Sequence, residues 1–241
     1  MPTSRLTSIR PKYGPTALIE RFMGLADAHA SARGLKLEIR PLREAAAAQA
    51  ENTDTWAKFP PMLDSRLSDI SDASSYSIIG SDDEGRVRCA QAGRIYDSGD
   101  RSFADLVADQ SFCYGSSRFR AGMPRAEVSI PSAGRIKGRF VYSGALWVHP
   151  EYTGKGFPSI LVRVSRTYAL AHWNTEYTIG MVRDFTDPAK MSPIYGYPVR
   201  NFEKPFTFYD LDVQPMHWYV MHMSRDELID DLERYISAYL P

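Results

Sequence analysis

Apolar residues along the chain recur with two spacings, and each spacing predicts an element. Leu18, Ile19, Phe22, Met23 and Leu25 recur every three to four residues and predict a helix over 16–32, with Gly34 as its stop. Residues 35–39 alternate apolar with charged side chains and predict an edge strand. An alanine-rich helix is expected over 43–58, ended by Phe59-Pro60-Pro61. Residues 76–80 and 86–96 read as two strands of a hairpin. They are joined at Asp82-Asp83-Glu84-Gly85, whose acidic residues are better read as a solvated turn than as metal ligands. Residues 98–137 are dominated by Gly, Ser, Arg and Pro around one possible helix at 103–112 and are expected to form an irregular insertion. Strands at 202–209 and 216–223 and a helix opened by the capping box Ser224-Arg225-Asp226-Glu227 close the chain.

The most informative stretch lies at 141–159. Eight residues rich in Val, aromatic and small side chains read as a buried strand, stopped at His149-Pro150. Gly154-Lys155-Gly156 is a tight turn, and Pro158 has the fixed φ that suits a first helical turn. Ile160, Leu161, Val164, Tyr168 and Ala171 then form an apolar helical stripe, with Arg163, Arg166 and Thr167 off it. A strand at 177–182 completes a β-α-β unit, followed by a short helix from Asp187 to about Ile194 and the segment Tyr195-Gly196-Tyr197. The fold class is α/β (α+β): a mixed, mostly antiparallel sheet with helices on both faces. One domain is expected over 1–241, with 1–70 an N-terminal helical part and 1–14 a loose arm.

Composition narrows the function. Lys plus Arg equals Asp plus Glu at 29 each in 241 residues, which argues against a protein that holds nucleic acid by a broad basic field. Cys89 and Cys113 are the only cysteines, too few for a disulfide framework or a four-cysteine zinc site, and no His spacing suggests a metal. No apolar run is long enough to span a membrane, and no secretory leader is recognisable, so a soluble cytoplasmic protein is expected.

Strand, glycine turn and helix N-terminus together make an anion cradle, since the leading N–H groups and the helix dipole both favour negative charge. A nucleotide P-loop would need four residues between its glycines, and a dinucleotide fingerprint would need a third glycine where Ser159 stands. Val148-His149-Pro150-Glu151-Tyr152-Thr153-Gly154-Lys155-Gly156 instead resembles motif A of the GNAT N-acyltransferase superfamily. There a strand, a Gln/Arg-x-x-Gly-x-Gly turn and a helix hold the pyrophosphate of acyl-CoA. The resemblance runs over about 76–210 and includes the later tyrosine and Gly-aromatic pair. It departs from the pattern at Glu151, which replaces the usual Gln or Arg.

The resemblance implies direct transfer of an acyl group from acyl-CoA, acetyl-CoA or a longer thioester, to an amine, with no metal. CoA contacts fall on Val148, Glu151, Thr153, Gly154, Lys155, Gly156, Phe157 and Ser159. The acid for the leaving thiolate is Tyr195 first and Tyr197 second. The base is open among His149, Glu151 and Glu176, with His149 at the strand end in a suitable pKa class. A backbone N–H near the end of strand 141–148 is expected to polarise the thioester carbonyl. Two alternatives stand beside this reading. One is a long-chain N-acyl synthase fed by acyl carrier protein, with Phe202, Phe206, Phe208, Tyr209, Trp218 and Tyr219 lining a tunnel. Its carrier-protein patch would be Arg118, Arg120, Arg125, Arg135, Lys137 and Arg139. The other is a non-catalytic module that binds acyl-CoA or a partner. The acceptor is a small-molecule or peptide amine, and a homodimer is an open option.

Overall fold

The structure is a computed structural model and describes residues 4–116, 122–209 and 214–239. Its strands are β1 (Ser4–Arg5), β2 (Lys36–Arg40), β3 (Ser75–Ser81), β4 (Val87–Asp97), β5 (Arg125–Val128), β6 (Arg139–Val148), β7 (Tyr177–Arg183), β8 (Phe202–Tyr209) and β9 (Met216–Ser224). Its helices are α1 (Thr16–Ser31), α2 (Leu42–Glu51), α3 (Phe103–Ala108), α4 (Ser111–Tyr114), α5 (Phe157–Trp173), α6 (Pro188–Tyr195) and α7 (Arg225–Tyr239). Among the described residues the strands form one nine-stranded sheet in the order β1-β2-β3-β4-β6-β7-β9-β8-β5. Every neighbouring pair is antiparallel except β6 and β7, which run parallel, the two strands joined by α5.

That single parallel pair shapes the molecule. It holds only over Phe140↔Tyr177, Val141↔Thr178 and Tyr142↔Ile179. Beyond it, β6 continues to Val148 and β7 to Arg183 without pairing to one another, so the sheet forks. The arm of the fork on β6 carries a bulge. Ala90 pairs with Trp147 and Ala92 with Gly144, leaving Ala145 and Leu146 opposite Gln91 alone. Ala145 takes φ +51°, a left-handed conformation that turns the local backbone out of the ladder.

The core lies on both faces. One face packs α1, α5 and α7 side chains, among them Phe22, Leu161 and Leu232, against Val141 and Met223. The other gathers Phe103, Phe112 and Tyr114 against Phe140, Tyr142 and Ile179. A smaller cluster stacks Trp56 on Trp147, ring centroids 4.8 Å apart and nearly parallel, with Thr55 Oγ1 accepting from Trp147 Nε1 at 3.2 Å.

Several expectations change. From Ser4 onward the arm is not loose: β1 pairs with β2, which is therefore not an edge, and Leu6 is fully buried. The alanine helix ends at Glu51, well short of 58. Asn52 Nδ2 donates to the Ala48 carbonyl and the chain turns so that Trp56 can reach Trp147. The stretch 98–137 is not irregular throughout. It holds α3 and α4, broken where Gln110 adopts φ +66°, and β5, which pairs with β8 at the end of the sheet. Arg163, Arg166 and Thr167, placed off the apolar stripe of α5, are buried, because α6 and α7 cover that side.

Candidate active site

The strand–turn–helix unit forms as its residues dictate. β6 ends at Val148, and Pro150, Glu151 and Tyr152 make one 3-10 turn. Gly154 and Gly156 both take left-handed φ, +78° and +81°, which glycine alone adopts without strain. Gly156 is the N-cap of α5 and supplies no side-chain acceptor. The leading N–H groups of Phe157 and Ser159 therefore point out of the helix end, and Pro158 has none to offer.

The turn is fixed from behind by a residue whose role the sequence did not reveal. His29, in the last turn of α1, places Nε2 3.0 Å from the Lys155 carbonyl oxygen. A carbonyl only accepts, so Nε2 carries the proton. The ring also meets Phe157 edge-on, with centroids 5.8 Å apart. Burial lowers the His29 pKa, the Lys155 bond opposes that shift, and Arg33 adds to it, so the net shift favours the neutral imidazole.

The expected cofactor contacts divide. Thr153, Gly154 and Lys155 are exposed along the turn, and the Lys155 ammonium lies 4.2 Å over the Tyr152 ring. Val148 packs against the α1–α5 core. The Phe157 side chain is buried, leaving its N–H as the group it can offer. Ser159 Oγ accepts from Arg163 Nη1 at 2.6 Å and is thereby engaged. Glu151 turns to Arg88, 3.3 Å away, rather than facing the turn alone.

His149 belongs to the same polar group. Arg88 Nη1 lies 3.3 Å from its Nε2, and its Nδ1 accepts from the Glu151 N–H at 3.3 Å. Arg88 Nε in turn reaches Asp82 at 2.9 Å. For Asp82, burial alone would raise the pKa, and the bonds from Arg88 and Arg86 outweigh it, leaving the carboxyl well below the usual range. Glu176 stands just ahead of β7, at the closed end of the fork, where its carboxylate accepts from the Arg139 N–H. His149 and Glu151 thus follow the end of β6 and Glu176 precedes the start of β7.

The tyrosines are better placed. A β-carbon built on Gly180 would lie 3.4 Å from the Tyr197 hydroxyl and 3.5 Å from the Ser143 carbonyl oxygen. Gly180 and Ser143 are the first residues beyond the last parallel pair, so Tyr197 brings its hydroxyl to the root of the fork. Burial raises its pKa and the Arg166 guanidinium, hydrogen-bonded to it, opposes the shift. Tyr195 is half-buried at the end of α6, with its pKa raised by burial.

Beneath these tyrosines lies a second feature that the sequence did not reveal. Asp231 on α7 accepts from Arg163 Nε at 2.9 Å and Nη2 at 3.1 Å, and also from Arg166 Nη2. Arg163 Nη1 then donates to the Ile194 carbonyl and Arg166 Nη1 to that of Tyr195, at 2.9 and 2.7 Å. Two guanidinium groups thus cap the C-terminal carbonyls of α6, where cations suit the helix dipole. Gly196 is glycine for a steric reason as well, because a β-carbon there would fall 2.4 Å from Asp231 Oδ1. The signal was present in the sequence as two arginines three apart on an apolar helix, but their partner lies 65 residues or more away.

A separate polar chain crosses the core at the bulge. Gln91 Nε2 donates to Ser143 Oγ at 2.9 Å, and Ser143 Oγ to Ser165 Oγ at 2.8 Å. Tyr76 lies 3.0 Å from Ser165 Oγ and donates to the Ser165 carbonyl at 2.7 Å. The chain ends on the Ser165 carbonyl and braces β6 against α5.

Arg118 and Arg120 lie outside the described residues. Arg125 pairs with Glu127 at 3.1 Å and Arg139 with Asp97 at 3.6 Å. Phe202 and Phe206 are core residues. Among the described residues there is no group of three His, Cys, Asp or Glu able to hold a metal ion, and no helix long and apolar enough to cross a membrane. The two cysteines are free and buried.

No protein-family model and no curated protein sequence matches the chain. Among solved structures it is similar to the spermidine N-acetyltransferase from Vibrio cholerae in complex with CoA and spermine, at 11% identity over 82% of this chain and 99% of that one, with a TM-score of 0.45. It is also similar to NAA60 from Arabidopsis thaliana in complex with a bisubstrate analogue, at 12% identity over 78% and 97% of the two chains, with a TM-score of 0.47.

Proposed function

We propose that this chain is an acyl-CoA-dependent N-acyltransferase that works by direct attack of an amine on the thioester. The observation that carries the reading is the fork. A sheet that opens at one parallel pair, with a bulge on one arm and an uncapped glycine-turned helix start beside it, offers a slot with an anion cradle at its mouth.

The pyrophosphate of CoA sits on the Gly154-Lys155-Gly156 turn and the leading N–H groups of α5, with Lys155 as the mobile counter-charge. The pantetheine arm enters between β6 and β7, where neither strand satisfies the other's backbone. The bulge at Ala145 and Leu146 turns a backbone N–H toward the thioester carbonyl, supplying the oxyanion contact. The amine nitrogen forms a bond to the carbonyl carbon, the C–S bond then breaks, and the thiolate takes a proton from Tyr197. The Tyr197 hydroxyl is the group at the root of the fork, and burial keeps it protonated and able to donate. The amine proton leaves to water in the slot. Tyr195 serves through its carbonyl, which anchors Arg166. CoA is favoured over acyl carrier protein as donor because Arg125 and Arg139, two of the arginines a carrier would need, are already paired.

Thermal unfolding with acetyl-CoA, a long-chain acyl-CoA and free CoA tests the reading. A ligand that binds only the folded state at about 100 times its Kd adds about 2.7 kcal/mol of stability. All three CoA species are expected to raise Tm, and failure of all three would remove the proposal.

A further inference from the structure

Arg183 ends β7, on the arm of the fork opposite the bulge. Ile179 is the last paired residue on its strand and Tyr142 the last on β6. At about 3.3 Å per residue, Arg183 lies roughly 13 Å beyond that point and Ala145 roughly 10 Å. The two therefore stand at similar depth on facing arms. Ile179 and Met181 point to the face that holds Tyr142, and strand alternation puts Arg183 on that face too. This is the face away from α5 and its glycine turn.

The surroundings of Arg183 set it apart from the other arginines. Among the described residues, those buried or half-buried are otherwise matched. Arg40, Arg88, Arg94, Arg139, Arg163 and Arg166 each have a carboxylate partner. Arg225 donates to the Asn174 and Thr175 carbonyls just beyond the end of α5. Among the described residues Arg183 has neither kind of partner. Its Nε is buried with no acceptor, and its Nη1 meets only the Met216 sulfur at 3.5 Å. The guanidinium meets two aromatic rings, 5.1 Å from the Trp218 centroid and 5.6 Å from that of Phe185. Phe185 is 81% exposed, the most exposed large apolar side chain among the described residues. A half-buried cation without a carboxylate partner among the described residues, flanked by an uncovered aromatic at the mouth of a slot, is arranged to receive an anion with apolar substance attached.

We infer that Arg183 is a specificity residue that binds a carboxylate on the acyl acceptor. The acceptor is accordingly an amino acid with an apolar or aromatic side chain, not a polyamine. The inference rests on the acyltransferase reading for what happens to the amine, but not for the anion site. A carboxylate on the Arg183 fork positions the amino group toward the bulge, while Trp218 and Phe185 flank the side chain. A polycation would meet a charge of its own sign.

The test uses matched probes. Calorimetric binding of 3-phenylpropionate and of 3-phenylpropanamide isolates the carboxylate, for the unaltered protein and for Arg183→Gln and Arg183→Lys. The acid is expected to bind at least about 10-fold more tightly than the amide, because hydrogen bonds to a charged group are the stronger kind. Arg183→Gln is expected to erase that preference and Arg183→Lys to keep part of it, with stabilisation by CoA unchanged in both. In parallel, release of CoA thiol from acetyl-CoA compares phenylalanine with phenethylamine, and both with spermidine. Phenylalanine is expected to give the highest kcat/KM, and Arg183→Gln to lower it about 10- to 100-fold while leaving phenethylamine unaffected. Equal binding of acid and amide, undetectable binding of the acid at millimolar concentration, acid preference that survives Arg183→Gln, or better turnover of spermidine or phenethylamine would each overturn the inference. Arg183-dependent acid binding without turnover of any amine would instead remove the acyltransferase reading and leave the anion site standing.

Discussion

His29 Nε2 sits 3.0 Å from the carbonyl oxygen of Lys155, so the last turn of α1 holds the glycine turn that opens α5. This contact makes the anion cradle sensitive to pH through stability. Burial depresses the His29 pKa below the unfolded value of 6.5, so the folded state binds its proton less readily than the unfolded chain. Stability is therefore complete above 6.5 and is lost as pH falls through the folded pKa. His172 and His222, both lowered chiefly by burial, act in the same direction. Tm is expected to fall between pH 7 and 5, and His29→Gln, which keeps a donor for Lys155 but cannot titrate, is expected to flatten part of that slope. An unchanged slope in His29→Gln would refute this role.

Gly154 and Gly156 should respond differently to alanine. At Gly154 the added carbon enters open space, and the cost is the left-handed backbone alone, about 1–2 kcal/mol. At Gly156 it would also fall 3.2 Å from the His29 ring and disturb the bond to Lys155. Gly156→Ala is expected to lose more urea stability than Gly154→Ala, and to lose most of the Tm gain given by acetyl-CoA. Equal losses would show that His29 does not hold the turn.

Tyr197→Phe removes the hydroxyl at the root of the fork while leaving the ring buried. A general acid contributes about 10²–10⁴ in rate, so kcat is expected to fall by at least about 100-fold. Stabilisation by CoA should persist. Tyr195→Phe, which keeps the carbonyl that Arg166 uses, is expected to cost much less. The reverse order would reassign the acid to Tyr195.

Asp231→Ala leaves Arg163 and Arg166 buried without their carboxylate. Removing one partner of such a buried group costs about 3–5 kcal/mol. The urea midpoint is expected to fall accordingly, and activity at temperatures where the variant stays folded is expected to fall as well, because Arg166 no longer steadies Tyr197. A change under 1 kcal/mol would show that the two arginines are satisfied by the α6 carbonyls alone.

Local chemistry was legible in the sequence, and distant partnerships were not. The β6–turn–α5 unit could be read because proline, paired glycines and an apolar stripe act within a few residues of one another. The capping box at Ser224 and Glu227 forms as read, with both reciprocal bonds present. The burial of the arginine-bearing side of α5 is not legible locally, because its arginines are neutralised by Asp231, 65 and 68 residues further along the chain. His29 looked like one more residue of an amphipathic helix until α1 packed against α5. The helix expected to run to 58 stops at Glu51, because Asn52-Thr53-Asp54-Thr55 are poor helix formers and Trp56 stacks on Trp147. Arg183 carried no local signal, because what distinguishes it is the lack of a carboxylate partner among the described residues.

The three residue pairs that close β6 on β7 divide the sheet into five strands on one side and four on the other. Across that seam the backbone ladder is at its shortest for two long neighbouring strands, and the chain itself crosses it on the way into β5, on the way back to β6, and through α5. The slot and the seam are one place. An occupant that bonds to both arms would replace the missing ladder and splice the halves together. Amide exchange should then slow on β6 and β7 together when the slot is filled, with little change in the outer strands.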